Sequence, residues 1–326
     1  MTGPRIVRSV LLAAAVAGTA SPTRAGGRDA VAYLGGARPP AVWRELFAYD
    51  AAAPLGVEVV GTRTVGAAVV QDVAFVSRPD RPAERIAAYL VTPAQPGPAQ
   101  RGPGMPAVLW VHWLGEPATT NRSEFLDEAT ALAGRGVVSL LVDAMWAKPR
   151  WYSTRVLEED YAASIGQVVS LRRSLDLLLA QKGVDPGRVA LVGHDYGGMY
   201  GALVAGVDGR ARTHVVIAAT ASLLDWAFFY DKKPVSRETY LREHEALSLC
   251  DHVAAATTVS FLFQVAERDR FVTLPKAQAL FAAVPGAKQL SIYGGAGHEM
   301  TAPASIRADR TAWLVRELAI GAAATR

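Results

Sequence analysis

Cysteine is almost missing from this sequence of 326 residues: Cys250 stands alone, so neither an intrachain disulfide nor a cysteine metal cluster can form. A chain of this length does not need such staples, because a domain near 300 residues buries roughly 75% of the surface its unfolded form exposes. Cys250 lies in a Leu-Ser-Leu-Cys-Asp stretch of helical appearance, a poor setting for a nucleophile. Excess charge is scarce as well. Arg5, Arg8 and Arg24 supply three of the four net positive charges, leaving the remainder nearly neutral and without an electrostatic claim on nucleic acid. There is no Gly-x-Gly-x-x-Gly after the first buried strand, no phosphate loop and no His-Glu-x-x-His. Nicotinamide, nucleotide and zinc chemistry therefore have no sequence support, and no cofactor is expected. No apolar run reaches the 20 or so residues that cross a bilayer.

What is present describes a globular chain: 51% hydrophobic, 20% charged and 8% aromatic residues, which excludes disordered, collagen-like and coiled-coil classes. Residues 1–25 have the features of a signal peptide. Arg5 and Arg8 precede the apolar run Val10–Ala17, and Thr23-Arg24-Ala25 places small residues where a signal peptidase reads them. A secreted or periplasmic protein is expected, with no stable membrane insertion once the leader is removed. Residues 26–66 read as a leader rich in Gly, Ala and Pro followed by a short helix at Ala41–Tyr49, with Trp43, Leu46 and Phe47 turned inward.

The main domain is expected over residues 67–326. Val69–Ser77 and Arg85–Val91 alternate as strands around an Arg-Pro-Asp-Arg-Pro turn. Short continuous apolar runs follow at Ala107–Val111, Val137–Val142, Val189–Val192, His214–Ala219, Val259–Val265 and Leu290–Tyr293. Both faces of such strands must be covered, as in parallel sheet. Helical patterns separate them at Ser123–Ala133, Leu157–Gln181, Tyr196–Val204, Pro275–Val284 and Ile306–Ile320. This predicts an α/β fold with a mostly parallel sheet of about eight strands and helices on both faces. The interval at about 221–257 exceeds a simple crossover and is rich in aromatics, Trp226, Phe228, Phe229, Tyr230 and Tyr240 among them. It reads either as a lid over a site or as extra helical packing.

The sharpest motif is Val-Ala-Leu-Val-Gly193-His-Asp-Tyr-Gly-Gly198, a buried strand running through a tight turn into a helix. It resembles the nucleophile elbow of the α/β-hydrolase superfamily, and the likeness extends from about residue 70 to the end. Ile86-Ala-Ala-Tyr-Leu-Val, Pro106-Ala-Val-Leu-Trp-Val-His and Gly136-Val-Val-Ser-Leu-Leu-Val-Asp look most like the dienelactone hydrolase and acetyl xylan esterase branch. Those relatives carry Ser or Cys where this chain has Asp195. Aspartate there is the pattern of haloalkane dehalogenases and epoxide hydrolases. The resemblance implies Asp195 as nucleophile, Asp269 as the orienting acid and His298 as the base, in the superfamily's chain order. Glu267 and Asp225 are alternative acids, Asp195 is alternatively a helix N-cap, and His112 and His194 are expected to bond to nearby loops.

A carboxylate, unlike a serine, is already ionised at neutral pH. The expected reaction is attack by Asp195 on an electrophilic carbon of a small organic substrate, carbon–halogen or epoxide, giving an aspartyl ester that His298 then hydrolyses with a water. Two alternatives stand beside it: a dienelactone-hydrolase-like ester or lactone hydrolase, and a non-catalytic binding protein that kept the fold. The superfamily rule implies an oxyanion hole from the N–H of Tyr196 and one from the His112-Trp113-Leu114 loop, with Trp113 expected as donor and Leu114 as the other candidate. His112, Leu114, Trp146, Trp226 and Tyr230 are the expected pocket residues.

Overall fold

The structure, a computed structural model, describes residues 5–8, 44–95, 104–116, 120–223 and 237–321. Ten strands form one sheet: β1 (Arg5–Arg8), β2 (Glu58–Val65), β3 (Ala68–Val76), β4 (Arg85–Pro93), β5 (Met105–Val111), β6 (Val138–Val142), β7 (Val184–His194), β8 (Thr213–Ile217), β9 (Ser260–Ala266) and β10 (Lys288–Tyr293). Their order is β1-β10-β9-β8-β7-β5-β6-β4-β3-β2. From β6 across to β10 all neighbours are parallel. The meander β2–β3–β4 is antiparallel and joins β6 antiparallel, and β1 lies antiparallel along β10. The leader expected at 1–25 otherwise falls outside the described residues.

The continuous apolar runs explain the parallel part. Every residue of β5, β6 and β8 is buried, because helices cover both faces. The helices are α1 (Leu126–Ala133), α2 (Trp151–Thr154), α3 (Leu157–Leu179), α4 (Tyr196–Val207), α5 (Arg237–Glu243), α6 (Leu249–Ala255), α7 (Leu274–Ala283) and α8 (Ser305–Glu317), of which α1, α3, α4, α6, α7 and α8 supply the cover. Alternation along β5 divides the core. Ala107, Leu109 and Val111 face a layer built from α3, α4, α6 and α7, while Val108 and Trp110 face α1 and α8.

Two expectations change. The stretch set apart as a leader, 26–66, contains β2, so the sheet begins well before residue 67. Residues 47–53 are also tied to α3: Arg172 donates to the Phe47 carbonyl at 2.6 Å, Arg173 to that of Ala53 at 2.8 Å, and the Tyr49 hydroxyl to Asp176 at 3.1 Å. Phe47 is buried as expected, and Trp43 lies outside the described residues. β2 escaped the sequence reading because it has no buried face: all eight of its residues are exposed. In the 221–257 interval, Leu249, Cys250 and Val253 of α6 belong to the main core, so this part is helical packing. Trp226 and Tyr230 lie outside the described residues.

Candidate active site

β7 delivers the chain to the turn at 193–198, and α4 starts at Tyr196. Asp195, between them, has φ 53° and ψ −115°, a conformation that costs a non-glycine residue on the order of 1–3 kcal/mol. Its surroundings enforce it. The Asp195 N–H donates to the Ile217 carbonyl at 2.8 Å, and its own carbonyl accepts the Met199 N–H at 2.9 Å. The turn is so close that a Cβ on Gly193 would sit 2.2 Å from the Gly197 carbonyl oxygen, and one on Gly197 would sit 2.3 Å from that of Val111. This is why the motif needs glycine at both positions.

The two oxygens of the buried Asp195 carboxylate have different surroundings. Oδ2 accepts the backbone N–H of Leu114 at 3.1 Å. Oδ1 has no hydrogen-bond donor among the described residues and lies 3.9 Å from Nε2 of His298. Burial pushes the carboxyl pKa up to about 7, against the opposing pull of His298 and of the N–H groups of Leu114 and Tyr196.

His298 follows β10 on the loop before α8. Its Nδ1 lies 2.8 Å from Oδ2 of Asp269, which sits just past β9. The other Asp269 oxygen accepts the N–H groups of Phe271 at 2.8 Å and Val272 at 2.9 Å. Burial works against ionising Asp269, but His298 and these two N–H groups hold its carboxyl below the ordinary value. An ionised Asp269 accepts a hydrogen bond from the Nδ1–H, which keeps its proton, and the Nε2 lone pair is directed at Asp195. The structure therefore brings Asp195, His298 and Asp269 together. Glu267 is exposed and Asp225 lies outside the described residues.

Three expected site residues have other duties. The Trp113 N–H, expected in the oxyanion hole, donates instead to Oε2 of Glu124 at 2.9 Å, and Leu114 makes the contact to Asp195. The Trp113 indole stacks on His194 with centroids 5.5 Å apart and meets His298 edge-on at 5.7 Å. His112 is buried: its Nδ1 donates to the Trp113 carbonyl at 2.8 Å and its Nε2 accepts the Ala144 N–H at 3.1 Å. That uses up a neutral ring, the form burial favours. It braces the loop rather than lining a pocket. Trp146 is 1% exposed, gives its indole N–H to the His112 carbonyl at 3.2 Å, and packs on Tyr196 and Tyr200. It forms the foundation of the elbow.

Three residues that the sequence reading did not assign to the site also serve it. Arg155 donates to the Tyr196 hydroxyl at 2.9 Å, pairs with Asp160 and covers the Trp151 ring. Glu124 reaches both Trp113 and His194. Phe271, 43% exposed, presents its ring to His298 at 5.1 Å; an aromatic two residues past Asp269 was the one available signal. Among the described residues no group of three His, Cys, Asp or Glu side chains is placed to hold a metal ion, and no helix is long and apolar enough to cross a membrane.

The prolyl oligopeptidase family matches residues 171–320, the segment that holds the elbow, Asp269 and His298. No curated protein matches the chain. Among solved structures, an acetyl xylan esterase from Paenibacillus sp. R4 superposes with a TM-score of 0.70 at 17% identity, covering 86% of this chain and 94% of its own. Acetyl xylan esterase 1 from a Thermoanaerobacterium species gives 0.66 at 17% identity, over 85% and 92%. An S-formylglutathione hydrolase from Agrobacterium tumefaciens gives 0.59 at 15% identity, over 80% and 99%. The chain has the α/β-hydrolase fold, and the family match together with these neighbours supports a hydrolase.

Proposed function

We propose that this chain is a hydrolase of small ester- or lactone-type molecules in which Asp195, at the elbow position, is the nucleophile. The substrate class follows the esterases among its structural neighbours. The role of Asp195 rests on one observation: one carboxylate oxygen is held by a loop N–H while the other faces the His298–Asp269 pair. Oδ1 attacks the alkyl carbon of the substrate's C–O bond. That bond breaks, its electron pair leaves on the departing carboxylate, and the alkyl group is now esterified to Asp195. His298 then takes a proton from water, which adds to the Asp195 carboxyl carbon. The negative charge collects on Oδ2, against the N–H groups of Leu114 and Tyr196. Collapse expels the alcohol, which takes the proton from His298 and carries the original Oδ1 away. Attack on an acyl carbon fits less well, because the substrate's own oxyanion would compete with Oδ2 for the Leu114 N–H.

The occupied Leu114 N–H also favours a second reading, in which the same carboxylate displaces halide or opens an epoxide. Either substrate offers an sp³ carbon and asks nothing of the loop donors. Export by removal of residues 1–25 belongs to the proposal too; N-terminal sequencing of the extracellular product should begin at Gly26.

Single turnover in heavy-oxygen water across esters, lactones, haloalkanes and epoxides tests the chemistry. Label in the Asp195 peptide is expected, and turnover without label would overturn the covalent route. The substrate that turns over decides the class. A chain that turns over none of them, yet is stabilised to heat by one, is a binding protein.

A further inference from the structure

The side chain preceding Asp195 connects elements that the mechanism needs to keep in register. Nε2 of His194 lies 2.9 Å from the backbone carbonyl of His298, and its Nδ1 lies 2.7 Å from Oε1 of Glu124. The second Glu124 oxygen accepts the N–H of Trp113 at 2.9 Å. One buried imidazole thus reaches the loop that carries His298, and through Glu124 the loop that carries Leu114. The Trp113 ring lies flat against it. A carbonyl can only accept, so Nε2 must carry a proton. A carboxylate also only accepts, so the Nδ1 contact needs a proton of its own. The histidine therefore has acceptors at both ends.

We propose that Glu124 and His194 form a charged positioning pair, an imidazolium against a carboxylate, that fixes the distance between the Leu114 loop and the His298 loop. The pair touches no substrate. It acts by holding the Oδ2 donor and the Nε2 base on opposite sides of Asp195. This role rests on the reading of Asp195 and His298 as the working groups, but its structural part stands by itself. Glu124→Gln separates charge from geometry. The glutamine carbonyl can accept from Trp113 while its amide donates to Nδ1, leaving a neutral ring that still reaches the His298 carbonyl. Glu124→Ala removes both contacts.

Nitrogen-resolved NMR of the histidine rings should find protons on both His194 nitrogens in the wild type and on Nε2 alone in Glu124→Gln. A wild-type ring with one proton would overturn the charged pair. Hydrogen exchange of peptides covering 112–116 and 294–299 should accelerate about tenfold or more in both loops of Glu124→Ala and stay slow in Glu124→Gln. Unchanged protection at 294–299 would overturn the coupling. On a turned-over substrate, Glu124→Ala should lose about tenfold to a hundredfold in kcat with KM nearly constant, and Glu124→Gln should recover most of it. A loss confined to KM would count against positioning. If the wild type turns over nothing, the proposed reaction fails while the NMR and exchange results still decide the pair.

Discussion

At the residue scale, the buried carboxyl of Asp195 ties activity and stability to pH in opposite directions. Only its ionised form attacks carbon, so the rate of adduct formation should rise with pH and level off above about 7. The folded state binds a proton more tightly here than the unfolded state does, so stability falls as pH climbs from near 4 to about 7 and is flat above that. At 1.36 kcal/mol per pH unit, the charge costs about 4 kcal/mol at pH 8. Asp195→Asn should abolish turnover while raising the melting temperature at pH 8, with the gain shrinking toward pH 4. A melting temperature that does not rise at pH 8 would show that the carboxyl is not held up by burial. His298→Gln should leave attack intact and stop the second step, so mass spectrometry of the intact protein should find the alkyl adduct accumulating; unchanged turnover would remove His298 from its role. That Asp195, Asp269 and His298 would be brought together was legible in the sequence, because each follows a recognisable buried strand. Leu114 was legible only as one of two donors. The choice depended on Glu124 taking the Trp113 N–H, a contact between residues eleven apart that no local pattern announces.

At the scale of elements, the elbow is the closest approach of backbone to backbone at any glycine among the described residues. Gly193→Ala drives a methyl group into the backbone of Gly197 and Gly198 across the turn, and Gly197→Ala into the backbone of Val111 and His112 at the end of β5. Each should cost about 3 kcal/mol or more, read as a lower midpoint in urea unfolding, since neither contact is with a side chain that can move aside. A midpoint unchanged by Gly197→Ala would mean that β5 and α4 are not packed so closely. The parallel strands and long α3 were legible because burial on two faces writes a continuous apolar run, and burial on one writes a three-to-four spacing. Their ends were less so: β7 runs Val184–His194 against an expected Val189–Val192, because Val184 pairs with Met105 across a register irregularity whose intervening residues, 185–188, carry no apolar pattern. β2 left no such trace, having no buried face at all. Trp146 was legible as an aromatic at the carboxyl end of β6, but its place against Tyr196 and Tyr200 goes with its bond to the His112 carbonyl.

At the scale of the whole molecule, the fold and the hydrolase class agree with the resemblance read from the sequence. Acetyl xylan esterases are among the solved structures that share this fold, and on that ground the ester and lactone alternative is proposed ahead of the halide or epoxide expectation. The two readings part for a physical reason: the sheet and its helices are shared across many chemistries, while the proposed chemistry turns on a single side chain at the elbow.

The antiparallel end of the sheet carries its own consequence. Val57, Val59, Val60 and Val65 in and beside β2 are 44%, 52%, 66% and 41% exposed, and β3 is the only strand beside β2 among the described residues. Such a margin is a ready template for joining one sheet to the next. Val60→Lys should raise the protein concentration at which light scattering sets in while leaving the melting temperature within about 1 °C, since the substituted side chain supports no core. Crowding tolerance in this protein is thus expected to depend on a ribbon of exposed valines some distance from its elbow.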